Sequence, residues 1–304
     1  MSSAANRLLV EDETVRLFHR LNGKFNDNTL REIVLASAGI KVSRTCLNDS
    51  ELHQFLEAAR EGNLEAVVSE EKYIHRRDIG KGGWSNSLAS VVPTDHPEGL
   101  FNVYIACAEK LAKAGLSLEA TSDEDGFGSL LGIPHCCIEA YVRFHPVARL
   151  KQNDFVPLVL ESTSGPAPYS PWNNYVSQYF GRALLSFFPC SFNCPEAESF
   201  ARASFEVLQQ CSAPWADGFL RLQRTNILYT EYLGLHMFAE ADFRDGWIEY
   251  DAGCVQSTET SEVSKQINLG NRLRVLGKHE VEIYEGGESV CRIGGEDVSM
   301  CIFN

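Results

Sequence analysis

Four cysteines fall in two pairs whose spacing and setting suit metal–thiolate chemistry. Cys136 and Cys137 stand side by side in "GIPHCCIEAYVRFHP", and Cys190 and Cys194 form a Cys-x3-Cys unit in "FFPCSFNCPEAESFA". Each pair sits at a predicted helix start. Pro134 suits a first helical turn, where its missing N–H costs nothing. Pro195 has the same place after Cys194 and is followed by Glu196 and Glu198. The open N–H groups and positive dipole end of a helix stabilise negative charge, so thiols there favour thiolate, the form that binds metal.

The spacing leaves the metal open. Zinc sites use chelating pairs with two to four intervening residues, which the Cys-x3-Cys half satisfies. Directly adjacent cysteines diverge, and they reach different irons of one cubane more readily than a single zinc. The expectation is therefore an iron–sulfur enzyme acting on a small anionic metabolite, its cluster, 4Fe-4S in type, held by Cys136, Cys137, Cys190 and Cys194. Zinc in a non-catalytic binding or scaffold protein is the alternative, and a metal-free thiol redox protein is the third reading. With four iron ligands the cluster transfers electrons or is structural; with three, an open iron acts as a Lewis acid or carries sulfur. Cysteine is also an ordinary small buried hydrophobe. Two pairs in matched Pro-flanked settings outweigh that reading here. The isolated Cys46, Cys107, Cys211, Cys254, Cys291 and Cys301 read as structural, with Cys107 a spare ligand at most.

The two elements resemble an uncharacterised prokaryotic family that carries a Gly-x-Pro-x-Cys-Cys motif and a later Pro-Cys-x3-Cys motif. The resemblance covers roughly residues 126 to 211. It implies a cysteine site and supplies no reaction. That family often has a histidine before the second proline, where this chain has Phe188. A Cys-Cys pair with a distant cysteine pair is also loosely similar to the cysteine-rich domains of heterodisulfide-reductase-like proteins. There a glycine follows the Cys-Cys pair; here it is Ile138.

Other residues offer secondary chemistry. In "HRRDIGKGGWSN", Arg76, Arg77 and Lys81 cluster around three glycines and form a candidate clamp for a small anionic metabolite. A solvated hairpin turn explains the same residues. The P-loop spacing is absent. His135, beside the cysteine pair, is a ligand, a proton donor or solvent-facing. His145 suits a helix end. Asp123, Glu124 and Asp125 read as a solvated turn, with a general base as the minor option. Tyr169, Trp172 and Tyr175, in a Pro-rich loop, form an aromatic lid or pack on the core.

The elements that must position these groups read as α+β. Helices are expected through the first sixty residues, and strands over "LEAVVSEEKYIHRR" and "SNSLASVVP". A helix is expected in "HPEGLFNVYIACAEKLAKAG", a turn at "DEDGFGSLLG" and an irregular stretch over 146–175. Helices are then expected over 172–185 and from Pro195 to about Gln210. From about Thr225 short alternating segments with glycine turns predict antiparallel hairpins. This gives a mainly helical domain over 1–218, carrying the four cysteines, and a small antiparallel β domain over 219–304.

The chain has 304 residues, 44% of them hydrophobic, and a net charge of -14. A sizeable core is available, and so acidic a chain is not expected to bind nucleic acid non-specifically. No leader or membrane span is expected, so the expected location is cytoplasmic, where clustered thiols read as metal or catalytic groups before disulfides. No Gly-x-Ser-x-Gly elbow, His-Glu-x-x-His, dinucleotide or kinase motif is present, which removes the common hydrolases, zinc proteases and classical dehydrogenases.

Overall fold

A computed structural model describes residues 10–61, 64–74, 90–151 and 154–303. The fold is α+β, and the chain divides into two compact units that are interleaved in sequence. The first comprises Met1–Ile74, Val91–Pro134 and Arg202–Gly218; the second comprises His75–Ser90, His135–Ala201 and Phe219–Asn304. No helix among the described residues is long and apolar enough to cross a membrane.

In the first unit, helices α1 (Asp12–Leu21) and α2 (Asp27–Ser37) precede strand β1 (Ser43–Leu47) and helix α3 (Asp49–Glu61). Strands β2 (Glu65–Ile74), β3 (Ser90–Val92) and β4 (Leu100–Ala106) follow, then helices α4 (Glu109–Ala120) and α5 (Glu124–Leu130). The sheet order is β1-β4-β2-β3, with β4 antiparallel to both neighbours in the pairs Ser43↔Ile105 and Val68↔Val103.

Strand β4 corrects the expected helix over the same residues. Its Val103, Tyr104, Ile105 and Ala106 are all buried, so no alternation marks it as a strand, and its β-branched and aromatic content decides the outcome. The "DEDGFGSLLG" segment is likewise a helix, α5, because the Asp123 carboxylate accepts the Gly126 N–H at 2.9 Å as an N-cap. Helix α4 lies close on the sheet: a Cβ at Gly115 would come within 2.9 Å of the Tyr104 ring. Helix α2 buries Leu30, Ile33, Val34 and Leu35 together with Glu32, which bonds Lys41 at 2.7 Å and Arg31 at 2.9 Å.

The second unit holds helices α6 (His135–Ala148) and α7 (Val156–Ser162) and the start of α8 (Pro195–Cys211). Helix α9 (Ala213–Gln223) leads into strands β5 (Asn226–Thr230), β6 (Gly234–Phe238), β7 (Phe243–Arg244), β8 (Trp247–Glu249) and β9 (Val255–Ser257). Helix α10 (Glu262–Leu269) precedes β10 (Arg272–Gly277), β11 (Glu280–Glu285), β12 (Glu288–Gly294) and β13 (Val298–Cys301). The strands form two antiparallel sheets, β12-β11-β10-β8-β7 and β13-β5-β6-β9. The antiparallel tail expected after Thr225 is thus present, with burial alternating along β11 while β5, β6 and β13 are buried throughout. Leu228, Phe238, Ile248, Leu273, Val281 and Ile283 are core residues there, joined by Val263 and Ile267 of α10.

Two expectations fail around residue 170. The irregular stretch contains α7, and the expected helix over 172–185 is instead two short 3-10 turns, Pro171–Asn173 and Tyr175–Phe180, followed by irregular chain. The asparagine side chains explain the interruption. Asn174 Oδ1 accepts the Ser177 N–H at 3.2 Å while its Nδ2 donates to the Gln223 carbonyl at 3.0 Å, so local side-chain bonds replace a helical ladder.

Candidate metal centre

Cys136 and Cys137 occupy the first turn of α6, and Cys194 directly precedes Pro195, the first residue of α8. Cys190 lies four residues earlier, on the irregular chain between the 3-10 turns and α8. The four sulfurs all lie within 4.8 Å of one another. Cys136 Sγ is 3.9 Å from Cys137 Sγ and 3.7 Å from Cys194 Sγ, and Cys137 Sγ is 3.8 Å from Cys194 Sγ. The shared cysteine site expected from spacing is therefore assembled, and its donor set can hold a metal ion.

Backbone amides are aimed at two of the sulfurs. The Cys190 N–H donates to Cys137 Sγ and the Ala197 N–H donates to Cys194 Sγ, both at 3.4 Å. Cys194 thereby serves α8 as an N-cap acceptor, a place normally taken by Ser, Asp or Asn. Cys137 and Cys194 are buried, while Cys136 and Cys190 are half-buried. The exposed Glu196 carboxylate lies 3.5 Å from Cys194 Sγ and 3.9 Å from Cys136 Sγ.

The thiols divide accordingly. The Cys137 S–H and then the Ala197 N–H donate to Cys194 and lower it to about 6. Cys137 is raised, first by its hydrogen bond with Cys194 and then by burial. Burial leads the rise of Cys136, to about 12, and of Cys190.

Side chains from two segments hold the irregular chain that presents Cys190 and Cys194. Asn173 Nδ2 donates to the Phe192 carbonyl at 3.1 Å and to the Cys194 carbonyl at 2.9 Å. Ser162 Oγ donates to the Cys190 carbonyl at 2.6 Å, and Thr163 Oγ1 accepts the Phe192 N–H at 2.8 Å. Lys278 Nζ in turn holds the end of α7 through the Leu160 and Thr163 carbonyls at 2.9 and 3.1 Å. Nothing in residue type singled out Asn173, Ser162 or Thr163 beforehand, because their bonds go to backbone brought near only by the fold.

An aromatic stack runs from α6 to the chain before Cys190. Tyr141 of α6 stacks on Phe155 at 5.2 Å, Phe155 on Phe188 at 4.2 Å, and Phe188 meets Tyr175 edge-on at 5.0 Å. Phe188 therefore supplies packing. Tyr169 and Tyr175 are buried against Phe192, which places them in the core and not in a lid.

His135 is exposed and faces Glu139 at 3.4 Å, and His145 stacks on Tyr141 at 5.2 Å. Neither imidazole belongs to the group of clustered donors, nor do Cys46, Cys107, Cys211, Cys254, Cys291 and Cys301. Of those six, Cys211 and Cys301 are buried, and Cys107 and Cys254 are exposed. Arg76, Arg77 and Lys81 lie outside the described residues. Comparison with known protein families, curated proteins and solved structures returned no match.

Proposed function

We propose that the protein carries a single zinc ion on Cys136, Cys137, Cys190 and Cys194, and that this ion joins the starts of α6 and α8. The spacing of the sulfurs supports this reading. Zinc–sulfur bonds of about 2.3 Å directed to a tetrahedron place neighbouring sulfurs about 3.8 Å apart. The three close separations here are 3.7, 3.8 and 3.9 Å. A cubane puts each thiolate on its own iron, with the width of an iron–sulfide core between them. Sulfurs within 4.8 Å of one another are closely spaced for that, so the iron–sulfur expectation has less support than its zinc alternative.

The surroundings favour a bound cation. Four cysteines share a small volume with the Glu196 carboxylate, and two backbone N–H groups are oriented to thiolate acceptors. Such outer contacts orient metal ligands and tune them. An ion here links residue 136 to residue 194, and its binding energy adds to folding energy. The expected role is a metal-stabilised fold around a thiolate centre.

Anaerobic purification followed by zinc, iron and sulfide analysis and a visible spectrum on one sample tests the reading. It predicts one zinc per chain, no sulfide and a colourless protein. Replacement by cobalt(II) then gives the strong visible absorption of tetrahedral cobalt–thiolate. A brown protein with several irons and sulfide returns the iron–sulfur reading, and a metal-free protein removes both.

A further inference from the structure

The centre is asymmetric, and the asymmetry has chemical content. Cys137 and Cys194 are buried and each sulfur accepts a backbone N–H. Cys136 and Cys190 are half-buried, and among the described residues neither sulfur accepts a backbone N–H. A hydrogen bond to a thiolate withdraws charge from it and occupies a lone pair, so it lowers nucleophilicity. Burial denies approach as well. The four sulfurs of one metal centre are thus two protected and two open.

Resting on the zinc reading above, we propose that Cys136 and Cys190 form the reactive face of the centre, a modification site for small, soft, uncharged or cationic electrophiles. In the reaction a metal-bound thiolate of Cys136 or Cys190 supplies the electron pair. A carbon–sulfur bond forms, the bond from that carbon to its leaving group breaks, and the leaving group departs with its electrons. The sulfur becomes a thioether, a weaker ligand.

Charge sets the class of electrophile. Four thiolates around a divalent ion leave the centre doubly negative, and the Glu196 carboxylate adds a further charge 3.9 Å from Cys136 Sγ. An anionic electrophile approaches against that field, whereas a neutral or cationic one does not. Glu196 is therefore a positioning residue for selectivity.

The test uses the full-length zinc-loaded protein, treated in parallel with iodoacetamide, which is neutral, and iodoacetate, which is anionic. Mass spectrometry then gives the extent of alkylation at each cysteine, and zinc is measured on the same samples. Cys136 and Cys190 should react at least roughly tenfold faster than Cys137 and Cys194, as accessible thiolates do relative to buried ones. Iodoacetamide should outpace iodoacetate at Cys136 by more than it does at the exposed Cys107 and Cys254 of the same chain. Glu196→Gln should shrink that difference at Cys136 while leaving Cys107 and Cys254 unchanged. Equal labelling of all four ligands, or first labelling at Cys137 or Cys194, overturns the proposal with the zinc reading intact. A starting sample without metal overturns the zinc reading itself, and the proposal with it.

Discussion

At the residue scale the four cysteines are not equivalent to the chain's other buried thiols. Cys137 is buried among three other sulfurs, whereas Cys211 is buried away from that group and its thiol is raised to about 12 by burial alone. Cys137→Ser should therefore leave less than one metal per chain and lower the melting temperature. Cys211→Ser should keep full metal content and cost about 1–2 kcal/mol, the penalty of a hydroxyl in an apolar site. Elemental analysis and thermal unfolding of the two variants separate these outcomes.

Protons give a second prediction at this scale. Metal binds thiolate, and only Cys194 is held low, at about 6, while Cys136, Cys137 and Cys190 are raised. At pH 7 the metal-free site is then mostly singly ionised, so zinc uptake should release about three protons, and affinity should fall as pH falls. Calorimetric titration in buffers of different ionisation enthalpy counts them.

The cysteine cluster was legible in the sequence because adjacency, Cys-x3-Cys spacing and flanking prolines are all local. Its size was not. The divergence argument for adjacent cysteines treats Cys136 and Cys137 alone, whereas at the first turn of α6 both sulfurs reach Cys194, at 3.7 and 3.8 Å.

At the scale of elements, the cysteine chain before α8 has no ladder of its own and depends on side chains for its backbone partners. Asn173 is the main one, satisfying two carbonyls, Phe192 and Cys194, from a buried position. Asn173→Ala should cost about 1–3 kcal/mol, since the Phe192 carbonyl loses its donor while the Cys194 carbonyl keeps only the Glu198 N–H at 3.0 Å. It should also speed metal loss to a chelator, because the segment carrying two ligands loosens while every ligand remains. Denaturant unfolding and the rate of zinc transfer to a chromogenic chelator measure the two effects.

Which elements could be read in advance follows the same logic. Helix α8 and the hairpins after Thr225 carry their signals in neighbouring residues, as the Pro195 start and the Asp245–Gly246 turn show. Strand β4 and the 3-10 turns at Pro171 and Tyr175 do not. The first is buried on both faces and has no period of two, and the second is set by Asn174 bonding to Gln223, distant in the chain. Helix α10 was hidden among strand signals, although Ser261 and Ser264 form a reciprocal cap at its start.

At the scale of the whole molecule, the two units should differ in their response to acid. In the second unit His236 is buried, its Nδ1 is 2.8 Å from Ser257 Oγ, and burial lowers it from 6.5 to about 4. The native ring stays neutral while the unfolded chain takes a proton below 6.5, so stability is lost as pH falls from 6.5 to about 4. In the first unit burial raises Glu32, but Lys41 and Arg31 outweigh it and bring the carboxyl from 4.5 down to about 2. Burial lowers Lys41 as well, against the pull of Glu32. Glu32 therefore contributes stability above its unfolded value, and this is lost only as pH falls from 4.5 to about 2.

Each shift corresponds to about 3 kcal/mol. Hydrogen exchange resolved by peptide should show β5 and β6 losing protection first, with α2 following at lower pH. The α+β class and the β-rich tail were readable from pattern. The interleaving of the units was not, because it depends on which distant segments pack together.

X-ray absorption at the metal edge of the purified protein tests the central claim most directly. The account predicts a single shell of four sulfurs at about 2.3 Å around zinc and no metal–metal scattering. Iron with a second iron in the next shell, or zinc with nitrogen or oxygen in place of one sulfur, would contradict it.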